Sequence, residues 1–357
     1  MTDASPPCAE ASVSCVIAVD AMGGDGAPDV VVGGAVAAAA AGSTVILVGV
    51  QPQLESILQA HGSVKGISTV HASQVITMED APSTAFEKKR DSSLAVAARL
   101  VKEGRAQALV SAGSTGALMS GALLTLGRLP GIRRPAIAVP WPTERGTSLV
   151  LDAGANVDSK PEYLLQFATM GSVYAERVLG RKRPRVGLLN IGAEVGKGSA
   201  LVHAAYALLE QSALNFMGNI EPTALVRGEV DVLVADGFVG NTMLKTGEAV
   251  AEFIRNSMRK NVRRSFRTML GAWLMKPVFD ELRRATDHSE YGGALLLRLR
   301  APVVKAHGRS DARAIENAIK VASSAVRLSV TEGMALRIPG RGVHSTGGTE
   351  DAEIPHV

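Results

Sequence analysis

The feature that most constrains this chain is a recurring unit: a short uncharged Val/Leu/Ala run, a glycine-rich polar turn, then a helical stretch. Val16 to Val19 leads into Asp20-Ala-Met-Gly-Gly-Asp-Gly-Ala-Pro28 and a helix over Asp29 to Ala41. Ala108 to Val110 leads into Ser111-Ala-Gly-Ser-Thr-Gly116 and a helix over Ala117 to Leu126. Ser148 to Leu151 precedes Asp152-Ala-Gly-Ala-Asn-Val-Asp158, and Val186 to Leu189 precedes Asn190-Ile-Gly-Ala-Glu-Val-Gly-Lys-Gly198 with a helix through Leu209. Asp231 to Val234 precedes Ala235-Asp-Gly-Phe-Val-Gly-Asn-Thr242 and a helix through Phe253. Continuously apolar strands alternating with helices predict an α/β fold with a mostly parallel, doubly wound sheet covered on both faces. In such sheets ligands gather beyond the carboxyl ends of the strands, so the loops are expected to converge on one site.

The small-residue run Ala35 to Ala41 predicts a closely packed helix ending at Gly42, with the next strand over Thr44 to Val48. Two long uncharged runs, Val30 to Leu54 and Ala106 to Gly127, are broken by Gly, Ser and Thr clusters and read as core pieces, not membrane spans. Residues 1–14 read as a disordered extension with no secretory signal, 15–336 as one α/β domain, and 337–357 as a disordered tail. The net charge of +4 is too mild to imply nucleic acid, and no RNA- or DNA-binding signature accompanies it. Cys8 and Cys15 match no metal or redox spacing, which points to a reducing cytoplasm.

The loops define the expected chemistry. Gly113 and Gly116 leave the main chain open to a ligand, Ser114 and Thr115 supply hydroxyls, and the helix that follows turns its free amides outward, as a phosphate cradle requires. Lys160, Lys197, Lys245 and Lys305 sit in or just after such loops and suit an anionic, oxygen-rich substrate. The sequence has no Walker A motif, no Gly-x-Gly-x-x-Gly after the first strand and no Gly-x-Ser-x-Gly elbow, and no cysteine lies in a catalytic-looking loop. The seven histidines lack paired ligand spacing, so neither a metal nor another cofactor is expected.

Ile17-Ala-Val-Asp-Ala-Met-Gly-Gly-Asp25 with Ala27-Pro28, Ser111-Ala-Gly-Ser-Thr-Gly-Ala117, Leu151-Asp-Ala-Gly-Ala-Asn-Val-Asp158, Asp236-Gly-Phe-Val-Gly-Asn241 and Lys305-Ala-His-Gly308 resemble, in this order, the bacterial phosphate acyltransferase family, PlsX. Met170-Gly-Ser-Val173 and Tyr291-Gly-Gly-Ala294 extend the likeness from about Val16 to about Val330. The resemblance implies a fold similar to phosphotransacetylases and isocitrate-dehydrogenase-like proteins. It also implies conversion of long-chain acyl-(acyl carrier protein) and inorganic phosphate to acyl phosphate, feeding phospholipid synthesis, by a cytoplasmic homodimer associated with the membrane surface. Two departures stand out: the family's first loop reads Gly-Gly-Asp-His where this chain has Gly26, and its second has Asn where this chain has Ser114. The first shifts weight to His307.

Phosphate is the nucleophile and a thiol the leaving group in that reaction, so the protein has to position the reactants and stabilise an oxyanion. Asp20, Gly23, Gly24, Asp25, Ser111, Gly113, Ser114, Thr115 and Gly116 are expected at the phosphate end with Asn241. Asn156, Lys160, Asn190, Glu194, Asp236, Gly237 and Lys245 are expected around the substrate, and His307, Lys305, Asn241 and Lys197 as the catalytic set. Ile254, Met258, Val262, Phe266, Met269, Leu270 and Trp273 recur at helical spacing between Arg255, Arg259, Lys260, Arg263, Arg264 and Arg267, a basic amphipathic segment over 253–284. It suits an anionic lipid surface, the acidic acyl carrier protein or a dimer interface. A short-chain phosphotransacetylase using acyl-coenzyme A and a non-catalytic carrier- or phosphate-binding scaffold are the alternatives. A nicotinamide-dependent decarboxylating dehydrogenase would need an arginine-rich carboxylate pocket and clustered aspartates, which the sequence does not display.

Overall fold

The computed structural model describes residues 15–62, 64–279 and 292–338. The first half runs β1 (Val16–Asp20), α1 (Asp29–Ala40), β2 (Thr44–Gly49), α2 (Gln51–Ala60), β3 (Ile67–His71), α3 (Pro82–Lys88), α4 (Ser93–Lys102), β4 (Ala108–Ser111) and α5 (Thr115–Leu126). There follow β5 (Ala136–Thr143), β6 (Gly146–Leu151), α6 (Pro161–Arg177), β7 (Arg185–Leu189), α7 (Ala200–Glu210), β8 (Asn215–Ile220), α8 (Pro222–Val226) and β9 (Val232–Val234). The chain closes with α9 (Gly237–Val262), α10 (Phe266–Leu274), β10 (Ala294–Leu297), β11 (Val303–Lys305), α11 (Ala312–Arg327) and α12 (Val330–Arg337). The strands form one sheet in the order β3-β2-β1-β4-β11-β10-β5-β6-β9-β7-β8. Its pairings are parallel except where β10 meets β11 and β5, and where β5 meets β6.

Alternation along the strands sends side chains to two helical layers. Ile17, Val19, Val45, Leu47 and Val110 face the layer that includes α1, α6 and α11, whereas Ala18, Ile46, Val48 and Leu109 face α4 and α5. In the other half of the sheet, Val150, Leu189 and Leu233 bury against Leu225 of α8. Phe167, Leu164 and Met170 of α6 are fully enclosed, and truncating such a side chain to alanine costs about 2–5 kcal/mol. The small face of α1 serves a close helix pair: a Cβ on Gly34 would lie 2.6 Å from the Ala312 carbonyl of α11.

The predicted strand-turn-helix units are present, with one substantial correction. The stretch expected to loop through Thr242 is helical from Gly237, because the Asp236 carboxylate accepts the Val239 amide at 3.0 Å and caps the helix. The amphipathic segment divides into α9 and α10 around residues 263–265, and Ser265 and Thr268 form a reciprocal capping box at the second start. The part of that segment beyond Phe279, like Tyr291, lies outside the described residues, as do residues 1–14. Helix α12 ends at Arg337, the residue at which the tail is expected to begin, and the Arg337 guanidinium pairs with Glu176 at 2.5 and 2.9 Å. Among the described residues no helix is long and apolar enough to cross a membrane.

Candidate active site

Strands β1, β4 and β11 are neighbours, and the loops leaving their carboxyl ends interlock. The Ser111 hydroxyl donates to Asp20 Oδ2 at 2.7 Å and accepts the Gly113 amide at 3.0 Å. Ser93, on α4, supplies a second hydroxyl to Asp20, and the Met22 amide reaches its Oδ1 at 3.3 Å. Burial outweighs these donors and pushes the Asp20 carboxyl above the usual range. The Ala306 amide donates to the Ser111 carbonyl at 2.9 Å, and the Asp25 amide to the Gly308 carbonyl at 2.8 Å. Gly23 permits the closest approach: a Cβ there would lie 2.6 Å from Asp20 Oδ2 and 2.8 Å from the Gly113 nitrogen.

Lys305 ends β11 within this knot. Its ammonium donates to the carbonyls of Ala306 and Ala112, the latter at 3.4 Å. Burial lowers its pKa from 10.5 to about 8 against the pull of Asp20 and Asp25, with Lys245 lowering it further. Two residues on, His307 Nδ1 accepts the Arg309 amide at 3.1 Å, which leaves the proton of the neutral ring on Nε2. Helix α5 starts beside them, with Ser114 as its N-cap accepting the Ala117 amide at 3.5 Å and Thr115 in its first turn.

A second knot faces the first across β10 and β5. The Asp152 carboxylate is fully buried and accepts four N–H groups, from Ile137 at 2.8 Å, Ala155 at 3.1 Å, and the main chain and side chain of Asn156 at 2.8 Å each. Burial still raises its pKa. Helix α9 is pressed onto this knot, since a Cβ on Gly237 would lie 2.6 Å from Asp152 Oδ2. Gly154, at φ +121°, passes under Asn241. These supports aim one face of α9, carrying Asn241, Leu244, Lys245 and Glu248, at the β11 loop. Between them lies a cavity of about 480 Å³ lined by Thr115, Asn241, Lys245, Lys305, His307 and Arg309, among others. Lys245 also pairs with Glu248 at 2.8 Å.

The structure therefore brings Thr115, Asn241, Lys245, Lys305 and His307 to one cavity. Asp20, Gly23, Ser111 and Gly113 form the buried knot at the neighbouring strand ends, Gly24 packs against Ala112 and Gly308, Ser114 caps α5, a Cβ on Gly116 would meet Pro82, and Asp25 is exposed. Asp236 and Gly237 act as cap and close contact for α9. Others are turned to different tasks. Asn156 spends its amide on Asp152 and the Pro135 carbonyl at 2.7 Å, and Lys160 is exposed at the N-cap of α6. Convergence of every loop does not hold: Asn190, Glu194 and Lys197 follow β7, six strand positions from β4, roughly 29 Å along the sheet. Asn190 there organises its own loop, donating to the Lys197 carbonyl at 2.9 Å, while Glu194 and Lys197 are exposed. Sequence reasoning did not single out Ser93 or Arg309, placed Arg255 in the amphipathic segment, and named Asp152 only as part of a loop motif.

The same fold occurs in solved structures of phosphotransacylases. The chain superposes on a phosphotransacetylase from Streptococcus pyogenes with a TM-score of 0.61 at 16% identity, covering 88% of this chain and 95% of that one. A branched-chain phosphotransacylase from Enterococcus faecalis V583 gives 0.54 at 16% identity, covering 87% and 99%. In sequence, the family described as "Fatty acid synthesis protein" matches residues 15–333. The chain is 51% identical over 307 residues to the phosphate acyltransferase of Moorella thermoacetica, covering 86% of this chain and 91% of that protein. It is 47% identical over 328 residues to that of Heliobacterium modesticaldum, covering 91% and 98%. The chain belongs to the phosphate acyltransferase family and is an acyltransferase.

Proposed function

We infer that this enzyme transfers the acyl group of a long-chain acyl-(acyl carrier protein) to inorganic phosphate, releasing acyl phosphate for glycerophospholipid synthesis and free carrier. The observation that carries this reading is the half-buried Lys305 ammonium, set beside the N-terminus of α5 and opening on the same cavity as His307 and Asn241. Amides of the α5 N-terminus, the Thr115 hydroxyl and Lys305 form the phosphate end. A phosphate oxygen attacks the thioester carbon, and the resulting oxyanion is met by neutral donors, the Asn241 amide and His307 Nε2–H. As the C–S bond breaks, the sulfur takes a proton and hydrogen phosphate loses one. Lys305 is suited to relay it, because its pKa of about 8 lies close to the ~8.5 of a thiol. Asp20 and Asp152 are positioning residues, holding the loops from below.

The α9–α10 arm exposes Phe253, Phe266, Trp273 and Leu274 among arginines, which supports peripheral contact with an anionic membrane, delivery of the acidic carrier, or pairing of two copies. The enzyme is read as a cytoplasmic homodimer working at that surface. Comparing palmitoyl-(acyl carrier protein) with acetyl-coenzyme A as acyl donors tests the donor assignment: it predicts a strong preference for the former, and a preference for acetyl-coenzyme A would make the protein a short-chain phosphotransacetylase.

A further inference from the structure

The cavity holding Lys305 and His307 does not end at the reactive groups. A second cavity of about 580 Å³ shares Val139, Pro140, Leu244, Glu248, Arg255, His307 and Arg309 with it and extends between β5 and α9. Its lining has an apolar part, Trp141, Pro142, Val226, Gly247 and Ala251, and a polar part, Glu248, Glu252, Arg255, Asn256 and Arg259. The volume lies within the ~300–1,000 Å³ of small-molecule sites. Trp141 and Gly247 meet across it. A Cβ on Gly247 would lie 2.7 Å from Trp141 Cη2, so the indole keeps its place only because α9 carries no side chain at that position.

We propose that this groove holds the acyl chain of the thioester and that the Trp141–Gly247 contact sets the chain length the enzyme accepts. The proposal rests on the acyl-transfer reading above. A chain covalently attached to a carbonyl at His307 and Asn241 has to leave the reactive cavity, and this groove continues from it along an apolar wall. Burying each further methylene on such a wall favours the longer substrate by about fourfold. A side chain at position 247 drives the indole into the groove and shortens it, whereas removing the indole lengthens it.

The test is kcat/KM measured with butyryl-, palmitoyl- and stearoyl-(acyl carrier protein) at saturating phosphate, because the ratio between substrates reports differential transition-state binding. Gly247→Leu is expected to lower the palmitoyl-to-butyryl ratio at least about tenfold, and Trp141→Ala to raise the stearoyl-to-palmitoyl ratio at least about threefold. If Gly247→Leu is inactive with every donor, the Trp141→Ala ratio decides alone. Ratios within about twofold of the unsubstituted enzyme in active variants would overturn the groove assignment while leaving the transfer reaction intact. An unsubstituted enzyme that makes acyl phosphate from none of these donors would remove the reaction and the groove's occupant together.

Discussion

The Ser111 hydroxyl donates to Asp20 at 2.7 Å, joining the ends of two adjacent parallel strands at the point where both chains turn into glycine-rich loops. Ser111 also accepts the Gly113 amide, so one oxygen fixes a buried carboxylate and the turn that leads to α5. Ser111→Ala leaves the Asp20 oxygen and the Gly113 N–H each short of a partner. The expected cost is about 1–3 kcal/mol in chemical denaturation, with a raised phosphate KM as the loop loosens. Unchanged stability together with unchanged KM would show that Ser93 and water carry the knot without it.

Lys305 gives the enzyme a pH signature. Its folded pKa, about 8, lies below the 10.5 of an unfolded lysine, so between these values the unfolded chain binds more protons. Stability therefore carries a penalty below about pH 8, on the order of 3 kcal/mol, relieved as pH rises toward 10.5. Phosphate capture runs the other way, since it needs the ammonium: kcat/KM for phosphate is expected to fall as pH rises through about 8. Lys305→Arg, charged throughout, should lose that inflection, and Lys305→Met should lose at least about a hundredfold in kcat/KM. An alkaline limb that persists in Lys305→Arg would assign the titration to another group.

Much of this arrangement was legible in the sequence because strand, turn and helix each leave local marks. The Asp20, Ser111 and Lys305 motifs end strands that the sheet makes neighbours, so their loops meet. The failures have physical reasons. Gly237 and Gly240 resemble loop residues, yet they are glycine because α9 lies directly on the Asp152 knot, while Asp236 caps the helix. The loop of Asn190 and Lys197 has the same composition as the others, and only strand order, which no local pattern encodes, sends it to the far side. Ser93 looks like an ordinary helix-start serine next to the cap Ser92, and only tertiary packing turns it to Asp20.

Gly26, where the resembled family carries histidine, packs against Val30: a Cβ would lie 2.6 Å from Val30 Cγ2. Its φ is not positive, so bulk alone opposes a side chain there. Gly26→His is expected to destabilise the fold by about 1–3 kcal/mol, and adding Val30→Ala to recover more than half of that. A double-mutant cycle in urea measures the coupling. Additive effects would place the strain elsewhere.

The exposed apolar face of α10 should bind anionic lipid. Phe266 and Trp273 are 79% and 69% exposed, beside Arg263, Arg264 and Arg267. Cosedimentation with phosphatidylglycerol vesicles is expected to fall with added salt and to drop about tenfold in a Phe266→Ser/Trp273→Ser variant, with little binding to neutral vesicles. Vesicle binding indifferent to both changes would leave the arm to protein partners.

The measurement that bears most directly on the transfer reaction follows purified enzyme with palmitoyl-(acyl carrier protein) and inorganic phosphate, reading carrier thiol and hydroxylamine-trapped acyl phosphate together. Equal amounts of both, each dependent on phosphate and lost in Lys305→Met, are predicted. Thiol release that ignores phosphate, or carrier binding without turnover, would contradict the account and leave a hydrolase or a scaffold in its place.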